Sequence, residues 1–360
     1  MRFNKILVII QRSNGDVFFS STLIESLFRK YGSPQIDLLV NDDTLPIAKL
    51  IPFVKNIYLF SYLKKKNNRW NQEIELIKKI YRKYDLSINL TASDRSVIYS
   101  LFASRESISA IEKNNSKSWW KKILLSHYYY FDSNNHILIN NFQSLNYLEI
   151  DHNNVQNPLK ISKDVILKVK NNLKNKGINK FIIFHPSAQY HYKIYPQNLR
   201  NKLLISLDSL GIPIIVTGSS NEIDSQIKEE IPKAKNIINL IGHTSLEEYF
   251  ALSHLSEAYI GMDTVNMHIA ASQSKPIFAI YGPTKLSMWA PWSNLLELSV
   301  KKDKPIQAYS NITLFQAEMD CVACGNAGCN NSGISDCLNN INPNQIFYEV
   351  KKWYQKFENK

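Results

Sequence analysis

Three short segments hold residue types whose spacing could do chemistry together. Asn14-Gly15-Asp16 sits between an apolar run, Ile6 to Ile10, and a stretch with helical spacing. A carboxylate at the start of a first helix, just after a first strand, lies where ligands gather on an open α/β sheet. Asp16 could take a proton from a substrate hydroxyl there, or simply cap the helix. Gly15 would let the backbone turn tightly. The second segment is His185-Pro186-Ser187-Ala188-Gln189, followed by Lys193. Small side chains at Ser187 and Ala188 allow a ligand close to backbone N–H groups. Lys193 is placed to meet a phosphate, or is one more solvated surface lysine. The third segment runs from Gly261 to Ala271, where a strand ends and a helix begins. The first-turn N–H groups of Thr264, Val265 and Asn266 are spare donors suited to a diphosphate. Asp263 opens this helix. His268 follows about one turn on, on a mostly apolar face where a packed core histidine is the plain alternative. Tyr281-Gly282-Pro283-Thr284 ends the next strand at the same edge, or is an ordinary turn.

Four cysteines, Cys321, Cys324, Cys329 and Cys337, fall in one stretch spaced C-x2-C-x4-C-x7-C. Four thiols so close could hold a structural Zn²⁺. Only one short knuckle is present, so reduced thiols or a conditional disulfide fit the spacing at least as well. A secreted disulfide protein would spread its bridges more widely, and the start of the chain lacks a small-residue cleavage site. These features read as cytoplasmic. HExxH, a Ser-His-Asp order and D-x-D are all absent, which removes metalloprotease, α/β-hydrolase and metal-dependent glycosyltransferase signatures. One glycine at Gly15 is not a GxGxxG, so an NAD-type site is disfavoured.

The elements that must position these residues alternate. Strands are expected at Lys5–Ile10, Gln35–Val40, Val54–Phe60 and Leu86–Leu90, with helices at Val17–Tyr31, Thr44–Ile51, Trp70–Tyr84 and Ser96–Ser104 between and after them. Residues 112–160 show no clean period. A Pro and many turn formers put a domain junction near 155–165. A second alternating series follows, from a helix at Asp164–Lys176 to a closing helix at Pro343–Phe357. The expectation is an α/β chain of two Rossmann-like domains, 1–160 and 161–342, facing across a cleft. A C-terminal helix, 343–360, could pack back on the first. At 360 residues, two domains are the natural count. No segment reaches the roughly 18 apolar residues of a membrane helix. With 43 Lys and Arg against 31 Asp and Glu, the +12 charge favours anionic partners. A nucleic-acid partner would need a clustered basic face or a recognisable module, and neither is seen.

Four stretches in order resemble the lipopolysaccharide heptosyltransferases, glycosyltransferase family nine, and most closely their heptosyltransferase III-type branch. They are NGDVFFSSTLIESL, YDLSINLTASDRS, GMDTVNMHIAASQSKPIFAIYGPTKLSMWAPW and the cysteine-rich CVACGNAGCNNSGISDCLNNINPNQI. The resemblance implies a two-domain GT-B fold. It implies inverting, metal-independent transfer from ADP-L-glycero-β-D-manno-heptose to an inner-core sugar of lipopolysaccharide, with no cofactor. It places Asp16 at the general base, Lys193 on the donor phosphate and Glu222 on the nucleotide ribose. Asp263 and His268 keep the family's D-x4-H spacing at the donor site, with Ser187, Ala188, Gln189, Thr264, Val265 and Asn266 around it. Val265 stands where type-I members have Gly, which points to the III-type branch. Ala188 and Gln189 replace hydroxyl residues of some members. The implied acceptor is a lipid-anchored, phosphorylated oligosaccharide at the cytosolic face of the inner membrane. Arg95, after a strand end, could meet its anionic groups. The basic-aromatic stretch from Trp119 to Phe131, with Lys121 and Lys122, suits a peripheral membrane contact. A different sugar nucleotide serving another surface glycan, or non-catalytic sugar-nucleotide binding, are the alternatives.

Overall fold

The computed structural model describes residues 3–113, 115–151, 159 and 161–359, without the side chains at 65–69 and 331. Part of the expected junction, 155–158 and 160, lies outside the described residues. The chain divides into two compact units, Met1–Lys160 and Ile161–Lys360.

The first unit runs β1 (Lys5–Ile10), α1 (Asn14–Lys30), β2 (Gln35–Asn41), α2 (Leu45–Ala48), β3 (Val54–Phe60), α3 (Tyr62–Ile80), β4 (Leu86–Asn89), α4 (Asp94–Ala103), β5 (Glu106–Ile111), α5 (Trp119–Leu124), β6 (His127–Tyr130) and α6 (Ile137–Asn146). Its strands are parallel, in the order β3-β2-β1-β4-β5-β6. From Ile6 to Ile10, β1 is fully buried, as a central strand covered on both faces should be. The sheet order reverses direction between β1 and β4. Asp16 follows β1 and Arg95 follows β4, so both stand at the switch point where α/β sheets bind ligands.

The second unit runs α7 (Lys163–Asn175), β7 (Ile182–His185), α8 (Gln197–Asp208), β8 (Ile214–Val216), α9 (Glu222–Glu230), β9 (Ile237–Asn239), α10 (Leu246–Leu255), β10 (Tyr259–Met262), α11 (Val265–Ser272), β11 (Ile277–Ile280), α12 (Leu286–Trp289), β12 (Ile306–Tyr309), β13 (Ile312–Phe315) and α13 (Pro343–Glu358). Its sheet order is β12-β13-β11-β10-β7-β8-β9, parallel except for β12 against β13. The reversal here falls between β7 and β10. Helix α13 lays Ile346 and Val350 into this unit's own core, where α8 contributes Leu203, Leu204 and Leu207.

Several elements differ from the sequence expectation. Helix α1 begins at Asn14, so Gly15 and Asp16 lie inside its first turn and Gly15 makes no separate turn. Helix α3 begins at Tyr62, eight residues before Trp70, because Ser61 accepts a hydrogen bond from Lys64 N at 3.4 Å and caps it there. Within the described part of 112–160 the chain forms α5, β6 and α6. Their apolar signal was diluted by the polar Asn and Lys faces of short elements. The edge strand β12 and its neighbour β13 were also unread.

One glycine sets the geometry at the second switch point. Gly261 pairs with His185 across β7 and β10, and a Cβ there would collide with the His185 backbone carbonyl. Its φ of 157° adds to the demand for glycine. Gly261→Ala should therefore lower stability by about 3 kcal/mol or more through overpacking. Urea unfolding of the full chain checks this, and an unchanged midpoint would contradict the close approach.

Candidate active site

In the first unit, Asp16 is the third residue of α1 and only 4% exposed. Its Oδ2 accepts from Ser13 Oγ at 2.6 Å and from Ser13 N at 3.2 Å, closing a capping box. Arg12 Nε lies 2.8 Å from its other oxygen, Oδ1, which accepts no well-directed hydrogen bond. The capping reading of Asp16 is thus correct as far as it goes. It leaves one oxygen facing only the guanidinium. The Arg12 guanidinium in turn stacks over Phe131 at 4.7 Å, and Asn41 Nδ2 donates to the Arg12 carbonyl at 3.2 Å. The loop before α1 is therefore held from β2 and from the segment after β6.

Arg95 lies at the start of α4, its guanidinium 4.0 Å over Phe60 and 5.2 Å over Tyr62. These rings come from the end of β3 and the start of α3. The early start of α3 is what supplies Tyr62. Lys121 is corrected most sharply. It is fully buried, with Nζ 2.8 Å from each of the Ala92 carbonyl, Glu112 Oε2 and Asp94 Oδ1. A buried ammonium needs such matching, so Lys121 is a tie between α4 and the end of β5, not a surface group.

In the second unit, β7 and β10 deliver two loops to one place. Lys193 Nζ pairs with Asp263 Oδ2 at 2.8 Å, with side-chain exposures of 25% and 7%. Lys193 is therefore not a free surface lysine. Burial works against its charge, but the Asp263 carboxylate more than offsets this and raises its pKa. Tyr195, two residues on, is buried and donates to the Ile341 carbonyl, fixing the Lys193 loop. Asp263 immediately precedes Thr264, the N-cap of α11. The first bond inside α11 is Met267 N to Thr264 O at 3.1 Å. The N–H groups of Val265 and Asn266 precede it and are the positive end of the helix. Asn266 Nδ2 lies 3.1–3.2 Å from the ring nitrogens of His185, and His185 Nδ1 lies 3.1 Å from Thr217 Oγ1. His268 is buried on α11 with its ring 6.4 Å from that of Trp289.

The remaining expected donor residues divide. Ser187 and Ala188 are buried just past β7, whereas Gln189 is exposed. Glu222 is the exposed first residue of α9, which Asn221 caps. Asp224 was missed. It is 3% exposed and accepts from Ser219 N at 2.5 Å and Asn221 Nδ2 at 3.3 Å, shaping the loop after β8. Its position three residues into a capped helix was the signal available. The four cysteines are free, with Cys321 and Cys324 exposed and Cys337 buried. Burial first, and then the neighbouring thiols, push the Cys337 pKa up to about 11. Among the described residues no group of three or more His, Cys, Asp or Glu is placed to hold a metal ion, so the Zn²⁺ option for these thiols finds no support here.

A family model, glycosyltransferase family 9 (heptosyltransferase), matches residues 74–312. The chain is 26% identical over 294 residues to lipopolysaccharide heptosyltransferase 3 of Escherichia coli K12, covering 78% of this chain and 83% of that protein. Its fold is similar to that of the glycosyl transferase family 9 structure from Veillonella parvula, with a TM-score of 0.75 and 16% identity over 98% of this chain and 97% of that one. The E. coli heptosyltransferase WaaC with ADP gives a TM-score of 0.70 at 13% identity, over 97% of this chain and 99% of that one.

His185 carries a pH signature. Burial lowers its pKa to about 4, against a partial upward pull from Asp224. Between its unfolded value near 6.5 and about 4, the unfolded chain takes up a proton that folded His185 does not. Stability should fall as pH drops through that window, by on the order of 3 kcal/mol from this group. His185→Asn should show a shallower decline between pH 7 and 4.5 in urea unfolding. Parallel profiles for the two proteins would contradict the assignment.

Proposed function

The chain belongs to glycosyltransferase family 9, and from that premise we propose that it is an inverting, metal-independent heptosyltransferase. In this reading it moves a heptose from ADP-L-glycero-β-D-manno-heptose to the inner core of lipopolysaccharide. The observation that carries the reading is the grouping of Lys193, Asp263 and the N-terminus of α11 where β7 and β10 end. A diphosphate leaving group gathers negative charge as it departs. Preoriented N–H groups at Thr264 to Asn266, together with the Lys193 ammonium, would stabilise that charge without reorganising. Lys193 is held there as an ammonium by the Asp263 carboxylate. Glu222, exposed at the start of α9, is left to meet the ribose hydroxyls, and Ser187 and Ala188 line the approach to the phosphates.

Inversion needs the acceptor hydroxyl to attack from the face opposite the diphosphate. This suits a division of labour in which the second unit holds the donor and the first supplies the base, Asp16. Ser13 and Arg12 fix the orientation of that carboxylate. Arg95, held against the Phe60 and Tyr62 rings, would meet an anionic group of the acceptor. The acceptor is taken to be a phosphorylated, lipid-anchored oligosaccharide, which places the work on the cytosolic side of the inner membrane as a peripheral contact. Among the described residues no helix is long and apolar enough to cross a membrane. Trp119, Ile123 and Leu124 on α5 are 58–69% exposed and offer an apolar face for such a contact.

Asp16→Asn keeps an oxygen for the capping box but loses the base. It should cut transfer by about 10²–10⁴-fold with little change in ADP affinity or melting temperature. Near-normal turnover would remove Asp16 from the role. Lys193→Ala should weaken binding of ADP and of the ADP-sugar in calorimetry, and unchanged affinity would argue against its phosphate contact. A thermal-shift series separates the donor classes. Stabilisation by ADP-heptose and ADP but not by UDP or GDP sugars is expected, and the reverse would point to a different sugar nucleotide.

A further inference from the structure

The edge of the first unit's sheet carries a feature the transfer reaction does not use. Strand β6 ends the strand order, and along its open side lies a cavity of about 500 Å³. This is within the roughly 300–1,000 Å³ of small-molecule sites. Its walls include Lys122, His127, Tyr128, Tyr130 and Tyr147, and no carboxylate is among the lining residues. His127 stacks on Tyr147 at 4.9 Å between ring centres, and Tyr128 meets Tyr130 edge-on at 5.8 Å. Tyr130 and Tyr147 are 39% and 44% exposed. Lys122 is exposed, and its Nζ lies 5.4 Å from the centre of the Tyr130 ring. Glu106 lies 3.7 Å from His127 Nε2.

The chemistry of this wall selects its occupant. A pyranose has an apolar C–H face and a rim of hydroxyls. Exposed tyrosines answer both, with a flat ring and a phenol tip. The exposed Lys122 ammonium, hydrogen-bonded to the Tyr130 phenol, adds a site for a negative substituent. Strand addition is disfavoured, because β6 has four residues and Tyr147 Oη already donates to its Tyr128 carbonyl at 2.5 Å. A lipid chain would prefer the neighbouring Trp119, Ile123 and Leu124, which are not part of the wall.

We propose that this groove is a saccharide subsite, taking a sugar residue that carries a phosphate or carboxylate. The proposal rests on the reading of the first unit as the acceptor-binding one. In the order β1-β4-β5-β6, the groove's strand is three places from β1, which leads into the helix that carries Asp16, or about 14 Å at ordinary strand spacing. It would therefore hold a part of the acceptor remote from the reacting hydroxyl and act on affinity, not on the chemical step.

The test is calorimetry on the full chain without donor. The probes are the phosphorylated oligosaccharide released by deacylating lipopolysaccharide and the same material after phosphatase treatment. Tyr130→Ala and Lys122→Ala should each weaken binding of the phosphorylated probe about 5–20-fold while ADP affinity stays constant, and Lys122→Ala should also erase the preference for phosphate. Wild-type affinity in both variants overturns the subsite, as does failure of the wild type to bind either probe. Loss of binding to phosphatidylglycerol vesicles with unchanged oligosaccharide affinity overturns it in favour of a membrane contact. Because no turnover is read, binding through these residues without any heptosyl transfer upholds the subsite and tells against the donor reading alone.

Discussion

The approach of β10 to β7 at Gly261 is the constraint from which the second unit's site follows. Two parallel strands can bring their trailing loops together only if their ends are level and close. At this point there is no room for a side chain, because the His185 backbone occupies it. With the ends so matched, the loop after β7 carries Lys193 to Asp263, and α11 carries Asn266 to His185. The same few residues thus decide both the packing of the central strands and the placing of charge. A sheet with ordinary side chains at this position would push its loops apart and separate the ion pair.

Among the described residues, the buried charges of both units have partners. Asp16 has Arg12 and Ser13, Asp263 has Lys193, Arg200 has Glu230, and Lys121 has two carboxylates and a carbonyl. His185 is the exception that keeps its place by staying neutral. This matching explains why so few of the 43 basic residues mark function. Those that matter are set apart by burial and by partner, which a one-dimensional reading cannot see. Lys121 and Lys122 are adjacent in sequence, yet one is sealed in the interior and the other stands over a tyrosine ring.

What was legible in the sequence had a strong local cause. Continuous apolar runs such as Ile6 to Ile10 and Ile277 to Ile280 can only be central strands, so most of the alternation and the place of Asp16 and Asp263 followed. The capping box at Ser245 and Glu248 was readable for the same reason, since both partners are three residues apart. What was not legible depends on distant partners. The region around α5 and β6 is held by tyrosine and serine contacts to β5 and α6, so no period survives in its own residues. Asp224 looks like any acid in a helix start until the loop after β8 folds over it. The early turn of α3 hangs on Ser61, and it matters because Tyr62 then reaches Arg95.

The ion pair between Lys193 and Asp263 bears on how a diphosphate could be received. A site that presented only positive charge would hold its own lysine apart by desolvation and repulsion from the α11 dipole. The Asp263 carboxylate offsets that cost and favours the charged ammonium. An arriving diphosphate would then share Lys193 with Asp263 rather than capture it outright, because separating the pair would leave a 7%-exposed carboxylate without its cation. Binding would be weaker than a lone lysine could give. On the proposed reading, departure of a nucleoside diphosphate after transfer would be correspondingly easier, since the carboxylate stands ready to take the ammonium back. A site built to release a charged product on every turnover is better served by such a shared cation than by an unopposed one.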